Sequence, residues 1–197
     1  MSEATPRPPK ILSFSSSTRK DSFNKKIALL ACEGARSTGI ETNFIELRDF
    51  PMPLYDGDLE KEKGLPENAK KLKKIFLEHD ALLIGNAEYN SSITGVFKNV
   101  IDWLSRQETP EEISLIAFKN KIAVLISASP GMWGGIRSLM DTRNILENIG
   151  VTVLPNTRSL PQADKAFDQN GKLNDHLTEG FRNVGAALAN FLKQYKK

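Results

Sequence analysis

Ser15-Ser16-Ser17-Thr18-Arg19-Lys20-Asp21-Ser22-Phe23-Asn24 sets hydroxyl groups and a guanidinium between two patterns of opposite kind. Before it, Lys10–Phe14 carries Ile11, Leu12 and Phe14 and reads as a short buried strand. After it, Phe23, Ile27, Leu30 and Ala31 recur at helical spacing and predict a helix over Ser22–Ser37. The segment is therefore a loop from a strand into a helix N-terminus, where unpaired N–H groups and the positive end of the helix meet. Hydroxyl donors and Arg19 added to that end suit a phosphate group. The alternative is a Ser-rich turn with Asp21 or Ser22 as N-cap.

Several phosphate loops are excluded. No Gly-Lys-Ser/Thr opens the helix, the loop has no glycine for a dinucleotide fingerprint, and the single cysteine, Cys32, lies well inside the helix. A cradle of hydroxyls, N–H groups and one arginine suits a terminal phosphate held statically, as on FMN.

The rest of the chain alternates strand and helix. Strands are predicted at Glu41–Leu47, Ala81–Gly85, Ile122–Ser127 and Val151–Leu154, and helices at Glu67–Glu78, Gly95–Arg106 and Gly135–Asn148. A last helix carries Leu177, Phe181, Val184, Leu188 and Phe191 on one face. Phe50–Pro66, with Pro51, Pro53, Gly57, Gly64 and Pro66, reads as a loop, and Asp168-Gln169-Asn170-Gly171 as a turn. The third and fourth strands are continuous apolar runs, as expected of parallel strands covered on both faces. Five strands alternating with five helices imply an α/β sandwich of three layers, its parallel sheet in the order 2-1-3-4-5.

The 197 residues, 40% of them hydrophobic, suit a single domain over 10–197, with the proline-rich 1–9 as a flexible arm. A net charge of +3 with interleaved signs argues against nucleic acid. No apolar run is long enough to span a membrane, and a lone cysteine fits a reducing compartment, so a cytoplasmic protein is expected. Cys32 reads as a small packing residue; His79 and His176 read as surface or helix-face residues. Arg143, on an otherwise apolar stripe, reads as a snorkelling surface residue or an interface ion-pair partner.

Ligands of such sheets bind at the carboxyl ends of the strands beside the switch point, here between strands one and three. Two further loops converge there. Asn86-Ala87-Glu88-Tyr89-Asn90-Ser91-Ser92-Ile93-Thr94-Gly95 offers amides, hydroxyls and one ring, or else simply an N-cap at Ser92 or Thr94. Ser127-Ala128-Ser129-Pro130-Gly131-Met132-Trp133-Gly134-Gly135 has three glycines that let backbone approach a flat ligand, or else serve positive φ.

Together the loops resemble the NADPH-dependent FMN reductase family of flavodoxin-like fold, which includes quinone, chromate and azo-dye reductases. The motif G-S-x-R-x-x-S-x-N is met by Ser16–Asn24. P-E-Y-N-x-S-x-P-G-x-x-K-N-x-I-D-W is met by Ala87–Trp103, and S-x-G-x-x-G-G by Ser129–Gly135. The resemblance implies that Ser17, Arg19, Ser22 and Asn24 hold the FMN phosphate. It places Glu88, Tyr89, Asn90 and Ser92 on the isoalloxazine and ribityl chain, and Ser129, Gly131, Gly134 and Gly135 near the other edge of the ring. Ser16 replaces the family glycine, and Ala87 and Thr94 replace prolines. The resemblance further implies hydride transfer from NADPH or NADH to flavin N5, then two-electron, ping-pong reduction of quinones, flavins, azo compounds or chromate. No catalytic side chain and no metal are expected. A homodimer or homotetramer is expected. A flavodoxin-like FMN electron carrier or a flavin-bound redox sensor are the alternatives.

Overall fold

The computed structural model describes residues 7–195. A parallel sheet is built from β1 (Lys10–Ser15), β2 (Glu41–Glu46), β3 (Ala81–Gly85), β4 (Ile122–Ala128) and β5 (Thr152–Val153), in the order β2-β1-β3-β4-β5. Its faces are covered by α1 (Phe23–Ser37), α3 (Glu67–Leu77), α4 (Gly95–Leu104), α5 (Ile136–Asn148) and α7 (Asp175–Tyr195). The expected flavodoxin-like topology is present.

Alternation along the strands sorts the two cores. Leu12 and Phe14 of β1 pack with Phe76, Phe97, Trp103 and Phe118 under α3, α4 and α5. Ile11 packs with Ile27, Ala31, Leu83, Val124, Phe181 and Leu188 under α1 and α7. Register places Ser15 opposite Gly85, and Gly85 opposite Ile126. The carboxyl ends of β1, β3 and β4 thus finish at one level, and the loops after them share a rim.

Several details depart from the sequence reading. The loop expected at Phe50–Pro66 contains a helix, α2 (Gly57–Lys63), because the Asp56 carboxylate caps Asp58 N–H at 2.8 Å. The fifth strand is split. Leu154 N–H still donates to the Ala123 carbonyl at 2.9 Å, but Pro155 has no N–H to donate; the chain leaves β4 there and returns as β6 (Arg158–Leu160), which pairs with residues 126–128. A single turn, α6 (Ala163–Ala166), follows. His176 is exposed, but His79 is buried: its Nδ1 lies 2.6 Å from the Ile75 carbonyl and its Nε2 3.0 Å from Asn43 Nδ2. Arg143 is half-buried; it donates to the Val153 and Leu154 carbonyls, each at 2.8 Å, and pairs with Glu147 of its own helix at 3.1 Å. Cys32 is fully buried, and that burial pushes its thiol pKa up. The arm expected at 1–9 lies largely outside the described residues; of its described part, Arg7 ion-pairs with Asp80 at 2.8 Å.

Two glycines set the closest helix contact. A Cβ on Gly34 of α1 would lie 1.9 Å from the Arg182 carbonyl of α7, and one on Gly185 would lie 1.8 Å from the Ala31 carbonyl. The backbones therefore touch where side chains normally intervene. Gly185→Ala must push α7 off α1, and is expected to destabilise the chain by about 3 kcal/mol, read as a lower urea midpoint at unchanged slope.

Candidate functional site

The β1–α1 loop is shaped by its own hydroxyls. Ser15 Oγ accepts Ser17 N–H at 3.2 Å, and Ser17 Oγ accepts Arg19 N–H at 3.3 Å. Ser22 is the N-cap of α1, its Oγ accepting Lys25 N–H at 3.4 Å and its carbonyl accepting Lys26 N–H at 3.1 Å. Helix geometry leaves the N–H groups of Phe23 and Asn24 without intrahelical acceptors. Arg19 is exposed. Arg48, at the end of β2, donates to the Thr18 carbonyl and pins the loop from outside.

Asn24 has another task. It is buried, its Nδ2 donates to the Ala128 carbonyl at 2.9 Å, and its Oδ1 accepts Ala128 N–H at 2.8 Å. The side chain expected at a phosphate joins the start of α1 to the end of β4. Gly85 permits the approach, because a Cβ there would fall 2.3 Å from the Asn24 carbonyl.

The β3–α4 loop is a tight turn held at both flanks. Tyr89 and Ser92 exchange backbone hydrogen bonds at 3.1 and 3.2 Å around Asn90 and Ser91, whose φ values are 52° and 70°. Two successive left-handed residues make the mirror-image turn usual in hairpins, built here without glycine. On one flank, Ser16 Oγ accepts Ala87 N–H at 2.7 Å, and Thr94 donates to the Ser16 carbonyl at 2.7 Å while capping α4. On the other, Glu88 reaches α5. Its Oε2 accepts the N–H groups of Arg137 and Ser138 at 3.0 and 3.2 Å, and its Oε1 takes the Arg137 guanidinium at 2.6 Å. Glu88 therefore caps a helix whose own N-cap, Gly135, has no side chain for the purpose. Ser92 donates to Asp141 at 2.7 Å on the same helix. The Glu88 and Ser92 side chains, expected on the flavin, are bonded to α5 in this structure. Tyr89 and Asn90 are exposed, and the Tyr89 hydroxyl meets Ser17 Oγ at 3.0 Å.

In the β4–α5 loop the three glycines separate. Gly134 (φ 59°) and Gly135 (φ 87°) are buried by packing: a Cβ on the first would lie 2.7 Å from Pro161 N, and on the second 3.0 Å from Ser127 Cβ. Packing by itself requires glycine at both of these positions, which are expected along the ring. Gly131 differs, with ordinary φ and nothing nearer than Ser129 Oγ, 3.5 Å from its would-be Cβ. No packing accounts for its missing side chain. Ser129 accepts Gly131 N–H at 3.1 Å and shapes the turn. Beyond it, Met132 and Trp133 stand 72% and 68% exposed. Among the described residues no group of three or more His, Cys, Asp or Glu side chains is placed to hold a metal ion.

Residues 9–165 match the family of NADPH-dependent FMN reductases. The chain belongs to the NADPH-dependent FMN reductase family. The NAD(P)H-dependent FMN reductase of Pseudomonas aeruginosa is 35% identical over 168 residues, covering 84% of this chain and 85% of that protein. The quinone reductase of Escherichia coli is 32% identical over 178 residues, covering 85% and 89%. The flavoenzyme NAD(P)H:(acceptor) oxidoreductase FerB of Paracoccus denitrificans matches with a TM-score of 0.75 at 26% identity, over 94% of this chain and 98% of its own. The chain is accordingly an oxidoreductase that works through FMN with NAD(P)H as electron donor.

The residues present fit that cofactor. The Ser17 hydroxyl, the Arg19 guanidinium and two N–H groups of a helix start form a donor set suited to a phosphate dianion. The open backbone at Gly131 suits a flat ring system. Sequence reading missed the second tasks of Asn24, Glu88 and Ser92, because each partner lies far along the chain. The one local signal was Gly135 opening α5 with no capping side chain of its own, which called for an acceptor from elsewhere. Asn24→Ala leaves both Ala128 backbone groups unpaired in the interior, and is expected to destabilise the FMN-free protein by about 2–4 kcal/mol in urea unfolding; Asn24→Asp, which keeps one acceptor, is expected to fall between it and the parent.

Proposed function

We propose that this enzyme binds FMN across the rim formed by the β1–α1, β3–α4 and β4–α5 loops, and passes two electrons from NADPH or NADH to quinones and similar small acceptors in a ping-pong sequence. The observation that carries the reading is the contact between Ser17 Oγ and Tyr89 OH, 72 residues apart and 3.0 Å from each other. It supports the reading because it joins the hydroxyl-rich β1–α1 loop to the aromatic, amide-rich β3–α4 loop.

Within this reading Ser17, Arg19 and the N–H groups of Phe23 and Asn24 hold the phosphate. Ser22 and the Asn24 carboxamide fix the loop that presents them. Tyr89 and Asn90 face the ring and ribityl chain, while Glu88 and Ser92 hold that turn on α5. Ser129 sets the turn at Gly131, whose backbone passes along the ring, and Gly134 and Gly135 let the loop return to the sheet. Bound FMN supplies the centre that accepts and donates hydride. The protein adds no general acid or base of its own, for the Glu88 carboxylate is held by Arg137 and two backbone N–H groups. Its work is placement and exposure of one ring face. A cytoplasmic homodimer or homotetramer completes the proposal. A lone buried cysteine suits a reducing compartment, and the exposed side chains of Leu54, Trp133, Ile136 and Met140 suit contact with further copies.

Titration of the FMN-free protein is expected to give a near-stoichiometric complex with quenched flavin fluorescence, and the complex should consume NADPH or NADH when a quinone is supplied. Absence of a titratable complex would overturn the reading. Arg19→Ala is expected to weaken FMN binding about 10- to 100-fold, the range of a lost charge-assisted bond, with an unchanged melting temperature in the FMN-free state. Parent-like affinity in that variant would remove Arg19 from the phosphate site.

A further inference from the structure

Ser16 carries no exposed surface, yet each of its polar atoms serves β3 or the loop after it rather than its own loop. Its N–H donates to the Gly85 carbonyl at 2.9 Å, its Oγ accepts Ala87 N–H at 2.7 Å, and its carbonyl accepts the Thr94 hydroxyl at 2.7 Å. Ala87 and Thr94 are buried as well, so water cannot replace either bond. These two residues bracket the turn that presents Tyr89 and Asn90. The residue after Ser16 is Ser17, whose hydroxyl faces Tyr89. One buried residue thus grips both ends of the ring-side turn while its neighbour stands in the phosphate site.

Resting on the reading that FMN spans these loops, we propose that Ser16 is a positioning residue that couples the two ends of the flavin site, so that ordering of the phosphate loop and ordering of the ring-side turn are one event. The coupling runs through the pair Ser16 Oγ and Ala87 N–H. Removing the hydroxyl alone leaves a buried N–H without an acceptor, which frees the turn to seek water. Removing both groups leaves nothing unpaired, and φ at Ala87 is not positive, which keeps proline within reach there. Ser16 touches no part of the bound FMN in this scheme and acts only through Ala87 and Thr94.

The test is a cycle of Ser16→Ala, Ala87→Pro and the double variant. It is read by FMN affinity, by amide hydrogen exchange of residues 87–94 in the FMN-free protein, and by the reduction potential of bound FMN. Ser16→Ala is expected to weaken FMN binding about tenfold, one lost buried bond. It should also speed exchange across the turn and shift the potential. Adding Ala87→Pro to Ser16→Ala is expected to recover most of the affinity and bring the potential back toward the parent. Two results would overturn the proposal: Ser16→Ala lowering only the melting temperature, with affinity and potential within twofold and a few millivolts of the parent, or effects of the two substitutions that simply add. Should Ser16→Ala not fold, the comparison of Thr94→Ser with Thr94→Val serves in its place, since only the first keeps the hydroxyl that reaches the Ser16 carbonyl; equal affinity in both would overturn the proposal. Parent protein that takes up no FMN would instead overturn the functional reading itself.

Discussion

One carboxamide ties the first helix to the centre of the sheet. Asn24 exchanges two hydrogen bonds with the backbone of Ala128, 104 residues away, at the point where β4 ends and its loop begins. Because the contact is buried and reciprocal, it fixes both the depth and the rotation of the N-terminus of α1. The phosphate loop hangs from that N-terminus and the β4–α5 loop from the other partner. Without the glycine at position 85 the helix could not come close enough for the pairing to form.

Around this tie, polar side chains divide between holding and presenting. Asn24, Glu88, Ser92, Ser16 and Thr94 face neighbouring elements and set backbone positions. Arg19, Tyr89 and Asn90 are exposed, and the buried Ser17 meets the Tyr89 hydroxyl. A rim built of three loops has little apolar packing of its own, so its shape depends on hydrogen bonds whose partners lie on different strands and helices. Such bonds are directional, and those of Asn24, Ser16 and Thr94 are buried. They give a cofactor site definite geometry where side-chain packing alone would leave slack.

The alternation of apolar runs and helical stripes was enough to read the elements, because those follow from periodicity, and the order 2-1-3-4-5, with its converging loops, is the common arrangement for five such strands. The Ser22 cap and the packing role of Cys32 were legible for a similar reason, each being local. The tasks of Asn24 and Glu88 were not. A carboxamide aimed at a backbone 104 residues away, and a carboxylate capping a helix 49 residues on, leave no mark in nearby spacing. The split edge strand escaped because Pro155 reads as an end, while the chain in fact rejoins β4 three residues later. His79 escaped because burial of a histidine at a helix end depends on Asn43 from the neighbouring edge strand.

The glycine contact between α1 and α7 has a consequence for the order in which the molecule matures. All three rim loops precede α7 in the chain, yet α1, which carries the first of them, is seated by backbone contact with that helix. During synthesis the strands and their loops emerge from the ribosome while α1 still lacks its cover. The seating of α1, and with it of the β1–α1 loop, then waits for a helix from far along the chain.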